Sequence, residues 1–188
     1  MLNSHDDGER RLARVEARAA IENLIAGYCM ACDDRDIVRL ASLFTEDAFF
    51  GAKDRSNGAQ GRRAIFDYYR GRFEVMGPSY HWTHDRLIEF DAARSDWARG
   101  TIQAHCEMSS NGAASVGALR YHDEYVCEQG TWRFAVRGYE FLYLAPADGY
   151  AQALTADKRV LFYGKWKAAE LPETRPTWQS WRSAKYPG

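Results

Sequence analysis

The sequence has no apolar run near 18 residues, the length a membrane-crossing helix needs. The stretch from Met1 to Arg11 is polar and carries no apolar signal core, so the expected location is the cytoplasm. Neither charge is in excess: 25 Lys and Arg stand against 26 Asp and Glu, a net charge of −1. Phosphate binding needs a concentrated basic surface, so the balance speaks against nucleic acid as the main partner. No G-x-G-x-x-G or G-x-x-x-x-G-K-[ST] run offers a nucleotide cradle, and no G-x-S-x-G elbow presents a nucleophilic serine. Cysteines number four. Cys29 and Cys32 form a C-x-x-C late in a helical pattern, away from the helix N-terminus where a thiolate is stabilised. With no second C-x-x-C, these two, Cys106 and Cys127 read as small buried hydrophobes. His81-x-x-His84 is too sparse for a metal site. Neither a metal nor a cofactor is expected.

What is abundant is aromatic: 11 Tyr, 9 Phe and 6 Trp in 188 residues. A single domain of this length buries roughly 70% of its unfolded surface, and its core does not need so many rings. Arginine also dominates the basic residues, with 20 of the 25.

The spacing predicts a helix over residues 8 to 33, with Leu12, Val15, Ala19, Ile21, Leu24, Ile25, Tyr28 and Cys32 on one face. Asp36 can cap a short second helix through Phe44. Ala48-Phe49-Phe50 reads as a short strand and residues 53 to 61 as a polar loop. A third helix, 62 to 76, carries Ile65, Tyr68, Tyr69 and Phe73 on one side and ends at Gly77-Pro78. Four strands follow over residues 80–90, 97–109, 118–128 and 131–144, joined by turns at 92–96, Ser110-Asn111-Gly112 and Gln129-Gly130. Helices followed by an antiparallel meander imply an α+β domain over 1–145, with three helices packed on the concave face of a curved sheet. Residues 146–188 form an extension holding Tyr150, Phe162, Tyr163, Trp166, Trp178, Trp181 and Tyr186. It is too aromatic for a disordered tail, so it is expected to pack on the barrel or on a neighbour.

Few residues can carry chemistry. A carboxylate beside a histidine fixes the imidazole tautomer, and a phenol nearby can donate a proton or hold an oxyanion. Asp33, at the end of the first helix, with His81 and Tyr28 are the candidates. His81 and His84, three apart on a strand, face opposite sides unless a bulge intervenes. Period-two alternation puts Arg133, Ala135, Arg137, Tyr139 and Phe141 on one face, with Phe134, Val136 and Gly138 on the other. An Arg facing a ring-lined hollow requires an anion or a carboxylate. Tyr28, Phe49, Tyr121, Tyr139 and Phe141 are the rings expected to line a pocket, while Phe44 and Trp132 serve the core.

Ile21-Glu22-Asn23-Leu24, the Tyr28 to Asp33 spacing, Leu40 to Ala48, the His81 strand ending Leu87-Ile88-Glu89-Phe90, and Tyr121-His122-Asp123-Glu124-Tyr125 through Phe134 resemble SnoaL-like proteins of the nuclear transport factor 2 fold. The resemblance covers about residues 10 to 145 and implies a cone-shaped α+β barrel. Within that superfamily the chain is most similar in motif to cofactor-free lyases: scytalone dehydratases, bile acid 7α-dehydratases, hexachlorocyclohexane dehydrochlorinases and lignin diarylpropane lyases. The resemblance implies His81 as base, Asp33 as its orienting partner, and Tyr28 and Arg137 as stabilisers of the leaving group. It implies His105 and Tyr121 as substrate-orienting residues, although Tyr121 stands where scytalone dehydratases carry an Asn. The implied reaction is loss of water or formaldehyde from a bulky aromatic or polycyclic hydroxylated substrate. A homo-oligomer is implied too, trimer before dimer. The same fold also hosts non-catalytic ligand-binding modules and the small structural subunits of ring-hydroxylating oxygenases.

Overall fold

A computed structural model describes residues 4–110, 112–162 and 164–183. Asn111 of the expected 110–112 turn, and Tyr163 and Tyr186 of the extension, lie outside the described residues. The order of elements is α1 (Ser4–Asp33), α2 (Ile37–Ser42), β1 (Phe44–Ala52), β2 (Gly58–Gln60), α3 (Arg62–Val75), β3 (Met76–Phe90), β4 (Trp97–Ser110), β5 (Ala113–Glu128) and β6 (Thr131–Pro146). A 3-10 turn (Ala147–Gly149), α4 (Tyr150–Thr155), β7 (Lys158–Phe162), β8 (Lys165–Ala168) and α5 (Pro176–Ser183) complete the chain. Helices pack against a curved, mostly antiparallel open sheet, the cone-shaped α+β arrangement of the nuclear transport factor 2 fold. Among the described residues no helix is long and apolar enough to cross a membrane.

Ile21, Leu24, Ile25, Tyr28, Cys29 and Cys32 recur at threes and fours on α1 and are all buried. Leu12 and Val15, expected on that stripe, are exposed instead. Arg18 donates to the Ile88 carbonyl (2.9 Å) near the end of β3, and the turns before it lie beside the 91–95 loop instead of the sheet. Asp36 caps α2 by accepting from the Arg39 amide at 3.0 Å.

The sheet runs β2-β1-β6-β5-β4-β3. β3 to β6 form the antiparallel meander, whereas β1 lies parallel to β6. That pairing explains why Phe44 opens a nine-residue strand and does not close α2: Phe44 finds its backbone partner at Phe134, far away in sequence. β2, inside the stretch read as a loop, pairs with β1. α3 ends at Val75, and Gly77 and Pro78, expected as its stop, belong to β3, which starts at Met76.

β6 carries two irregularities. Tyr125 pairs with Phe134 and Glu124 with Val136, so Ala135 is an extra residue. Leu119 pairs with Phe141 and Ala118 with Tyr143, so Leu142 is another. Each bulge bends and twists the strand and switches which parity faces inward. Phe134 and Arg137, both fully buried, therefore point to the same concave side, contrary to strict alternation. β1 occupies the first part of one β6 edge, and β7 continues along it, Leu144 opposite Val160. The extension thus covers backbone groups that would otherwise form a bare edge. Arg159 fastens it, donating to the Leu142 and Leu171 carbonyls and to the Glu173 carboxylate.

Rings fill the cone. Tyr28 meets Phe44, Phe50, Tyr69, Tyr121 and Phe134 with centroids 5.8–6.4 Å apart. Four of these five contacts are edge-on, the arrangement that places positive ring edges against negative faces.

Candidate active site

The end of α1 is brought against the first half of β3, and two groups of Asp33 hold one residue there. Asp33 Oδ1 lies 2.7 Å from His81 Nδ1, and Asp33 Oδ2 accepts from the His81 backbone amide at 3.0 Å. The carboxylate so fixes both the strand and the ring hung from it. With Nδ1 bound as a donor, Nε2 is the basic edge, and His81 lines an interior cavity. Asp33 is absent from the cavity wall and sits behind the ring.

The chamber is small, about 70 Å³. Tyr28, Tyr121, Tyr139 and Phe141 line it as expected from the sequence. Tyr28 and Tyr69 hydroxyls lie 2.5 Å apart. Burial pushes both phenols well above the usual tyrosine range, so each is a proton donor and neither a phenolate at neutral pH. Cys32 and Cys106 also reach the wall, where burial pushes both thiols up to about 12 and leaves them inert. A wider vestibule of about 470 Å³ adjoins, sharing Tyr68, Arg72, Met76, Met108, Phe141 and Phe162 with the chamber. Phe162 comes from β7, so the extension forms part of this wall.

Three expected site residues lie elsewhere. Arg137 is completely buried but does not line the chamber. Its guanidinium carbon sits 4.0 Å from the Tyr28 ring centroid, 3.9 Å from Tyr121 and 4.5 Å from Phe134, and one nitrogen is 3.4 Å from Asp123 Oδ2. It faces inward as alternation suggested, yet the rings stand between it and the hollow. His105 is exposed on the outer face of β4, its Nδ1 2.7 Å from His84 Nε2, because alternation turns its neighbours Ala104 and Cys106 inward. The bulge between Thr83 and Arg86 on β3 comes after His81 and does not bring His84 to the chamber. Phe49 pairs with Val136 and Phe50 with Arg137, so Phe50 takes the inward side and Phe49 lies outside under Arg55.

Other wall residues were missed: Tyr69, Tyr68, Arg35 and Arg72. The signal for three of them was present. Tyr68, Tyr69 and Arg72 share one stripe of α3 at helical spacing, but a ring stripe reads first as core. Among the described residues no group of three or more His, Cys, Asp or Glu stands together as a metal site.

The fold has clear relatives among solved structures. Hexachlorocyclohexane dehydrochlorinase type 3 from Novosphingobium barchaimii superposes with a TM-score of 0.67 at 23% identity, covering 74% of this chain and 95% of its own. A scytalone dehydratase-like protein from Novosphingobium aromaticivorans gives 0.65 at 21%, covering 71% and 89%. At these identities the likeness is one of fold. No curated protein sequence matches the chain. Residues 13–138 match the SnoaL-like domain family, two thirds of the sequence, and the chain belongs to that family.

Proposed function

We propose that the protein is a lyase that needs no cofactor and eliminates water from a hydroxylated aromatic compound. The observation that carries this reading is the Asp33–His81 pair, which presents a single basic nitrogen to a ring-lined chamber. His81 Nε2 takes a proton from the carbon beside the one bearing the hydroxyl. The C–H electron pair becomes the new double bond and the C–O bond breaks. The departing hydroxide takes a proton from Tyr28, whose phenolate is stabilised by the Tyr69 hydroxyl and by Arg137 under its ring. Proton return from the imidazolium to Tyr28 restores the site. Asp33 compensates the imidazolium while it exists. Arg137 is in this account a positioning residue, since it acts through Tyr28 and Tyr121 and touches no substrate atom.

The chamber volume limits what enters. A cavity of about 70 Å³ takes only the reacting end of a molecule, and the vestibule takes the rest. Superposition on a dehydrochlorinase and on a scytalone dehydratase-like protein supports elimination chemistry by analogy of fold.

The test is substrate consumption with His81→Ala and Asp33→Asn. General-base loss is expected to lower the rate about 10²–10⁴-fold. A near-native rate in either variant overturns the dyad reading. Product mass separates the chemistry: water loss keeps the carbon count, whereas loss of formaldehyde lowers it by one and would replace dehydration with C–C cleavage.

A further inference from the structure

The chamber and its vestibule have cations on their walls and no acid. Arg35 and Arg72 line the chamber, Arg72 also lines the vestibule, and neither wall holds an Asp or Glu. Each guanidinium is engaged only by neutral groups. Arg35 donates to the Cys32 carbonyl (3.2 Å), Ser79 Oγ (3.1 Å) and the Gly77 carbonyl, and stacks 4.4 Å from the Phe73 centroid. Arg72 donates to Met76 Sδ (3.5 Å) and lies over Tyr68 (5.8 Å). Among the described residues neither forms an ion pair. The acids adjacent in sequence are turned away: Asp34, Asp36 and Glu74 are exposed, and Asp36 is spent on the α2 cap. Two cations beside an apolar hollow attract a counter-charge, because low-dielectric walls leave them poorly solvated.

α1 ends with the Asp36 amide on the Ala31 carbonyl (3.0 Å) and the Arg35 amide on the Cys32 carbonyl (3.3 Å), and Arg35 has φ 61°. This is the left-handed helix stop at which glycine is the favoured residue. A side chain there is strained. The position carries an arginine whose head reaches back under β3 to the chamber wall.

We propose that the substrate is an aromatic carboxylate, and that Arg35 and Arg72 receive its carboxylate at the junction of chamber and vestibule while the hydroxyl-bearing carbon lies at His81. The proposal rests on the lyase reading for which end of the substrate reacts, but the anion preference is measurable without turnover. The two guanidiniums pair with the carboxylate oxygens, and the aromatic part lies against the rings of the chamber. An acid is selected over its neutral analogue because only the acid satisfies both arginines.

The experiment is calorimetric titration of the full chain with cinnamate and with cinnamamide, which differ in charge and share the aromatic frame. Cinnamate is expected to bind at least about tenfold tighter. Arg35→Gly suits the left-handed backbone and removes the guanidinium; Arg72→Met keeps the alkyl packing. Each should reduce the preference severalfold, and the double variant should abolish it. Equal affinity for acid and amide, absence of cinnamate binding, or a preference that survives in the double variant overturns the proposal. Turnover of hydroxylated aromatics then separates the two readings. An anion preference without turnover leaves the carboxylate assignment standing and removes the lyase. Equal turnover of 3-hydroxy-3-phenylpropanoate and a neutral aryl alcohol, unchanged by the arginine substitutions, does the reverse.

Discussion

Two aspartates in this molecule each hold a nitrogen-bearing side chain, Asp33 an imidazole and Asp123 a guanidinium, and they do so in opposite ways. Asp33 and His81 keep 21% and 16% of their side-chain surface exposed, whereas Asp123 and Arg137 keep none. The first pair is tightly hydrogen-bonded, at 2.7 and 3.0 Å. The second is loose: its closest approach is 3.4 Å, none of the three Arg137 nitrogens makes a hydrogen bond among the described residues, and Asp123 Oδ2 accepts from Tyr125 at 2.8 Å. Burial pushes the Asp123 carboxyl up while Arg137 pulls it down. Three ring faces supply the rest of the compensation for the guanidinium. A proton-transfer group needs one edge that a substrate can reach, and only the first pair has it. The second has charge without access, which suits a structural clamp holding β5 to β6 beneath the site.

That contrast can be broken by two substitutions with opposite signatures. His81→Ala should cost about 10²–10⁴-fold in rate and leave the urea midpoint nearly unchanged, since His81 is not in the core. Arg137→Met should leave Asp123 as an uncompensated buried charge and cost about 3–5 kcal/mol in urea unfolding, while the protein that remains folded loses less rate than His81→Ala does, through the weaker support of Tyr28. If Arg137→Met stays stable but inactive, the guanidinium contributes to chemistry directly and the clamp reading is wrong. A smaller effect is expected from Tyr69→Phe. It leaves the buried Tyr28 hydroxyl without its partner, at about 1–3 kcal/mol, and lowers the rate less than His81→Ala does. A rate loss as large as that of His81→Ala would make Tyr69 the principal proton donor.

The sequence made the first pair legible and misplaced the second for a physical reason. Helical period brings Tyr28 and Asp33 to the last turns of α1, and β3 is long enough to carry His81 past them. These are local periodicities joined by one tertiary contact. Arg137 was correctly turned inward, but what lies above it depends on the bulge at Ala135, which puts Phe134 on the same side. A bulge is one extra residue in a ladder and leaves no mark in hydrophobic alternation. The Phe49 and Phe50 choice turned on the same kind of fact, the parallel register of β1 on β6, which is a long-range pairing. His105 was drawn to the pocket by resemblance, although strand parity alone places it outside with its neighbours Ala104 and Cys106 inside. Arg35 was hidden by its context, the acidic run Asp33-Asp34-Arg35-Asp36 that breaks the helical pattern.

On the outer face of β3 and β4 the His84–His105 pair has the same 2.7 Å spacing as His81–Asp33 on the inner face. A second imidazole cannot compensate a cation as a carboxylate does, so His105 resists charging. His105 is held below the usual histidine range, first by partial burial and then by His84. The folded state therefore binds this proton less readily than the unfolded chain. Its contribution to stability is complete above the unfolded value near 6.5 and is lost as pH falls from there through the lowered folded value. His84→Ala removes the second cause and leaves the first. The melting temperature of the native chain should fall more steeply between about pH 6.5 and 5 than that of His84→Ala, and the elimination rate at pH 8 should be the same for both. Parallel melting curves would mean that the two imidazoles do not share a proton; a slower variant at pH 8 would mean that the outer face reaches the chamber after all.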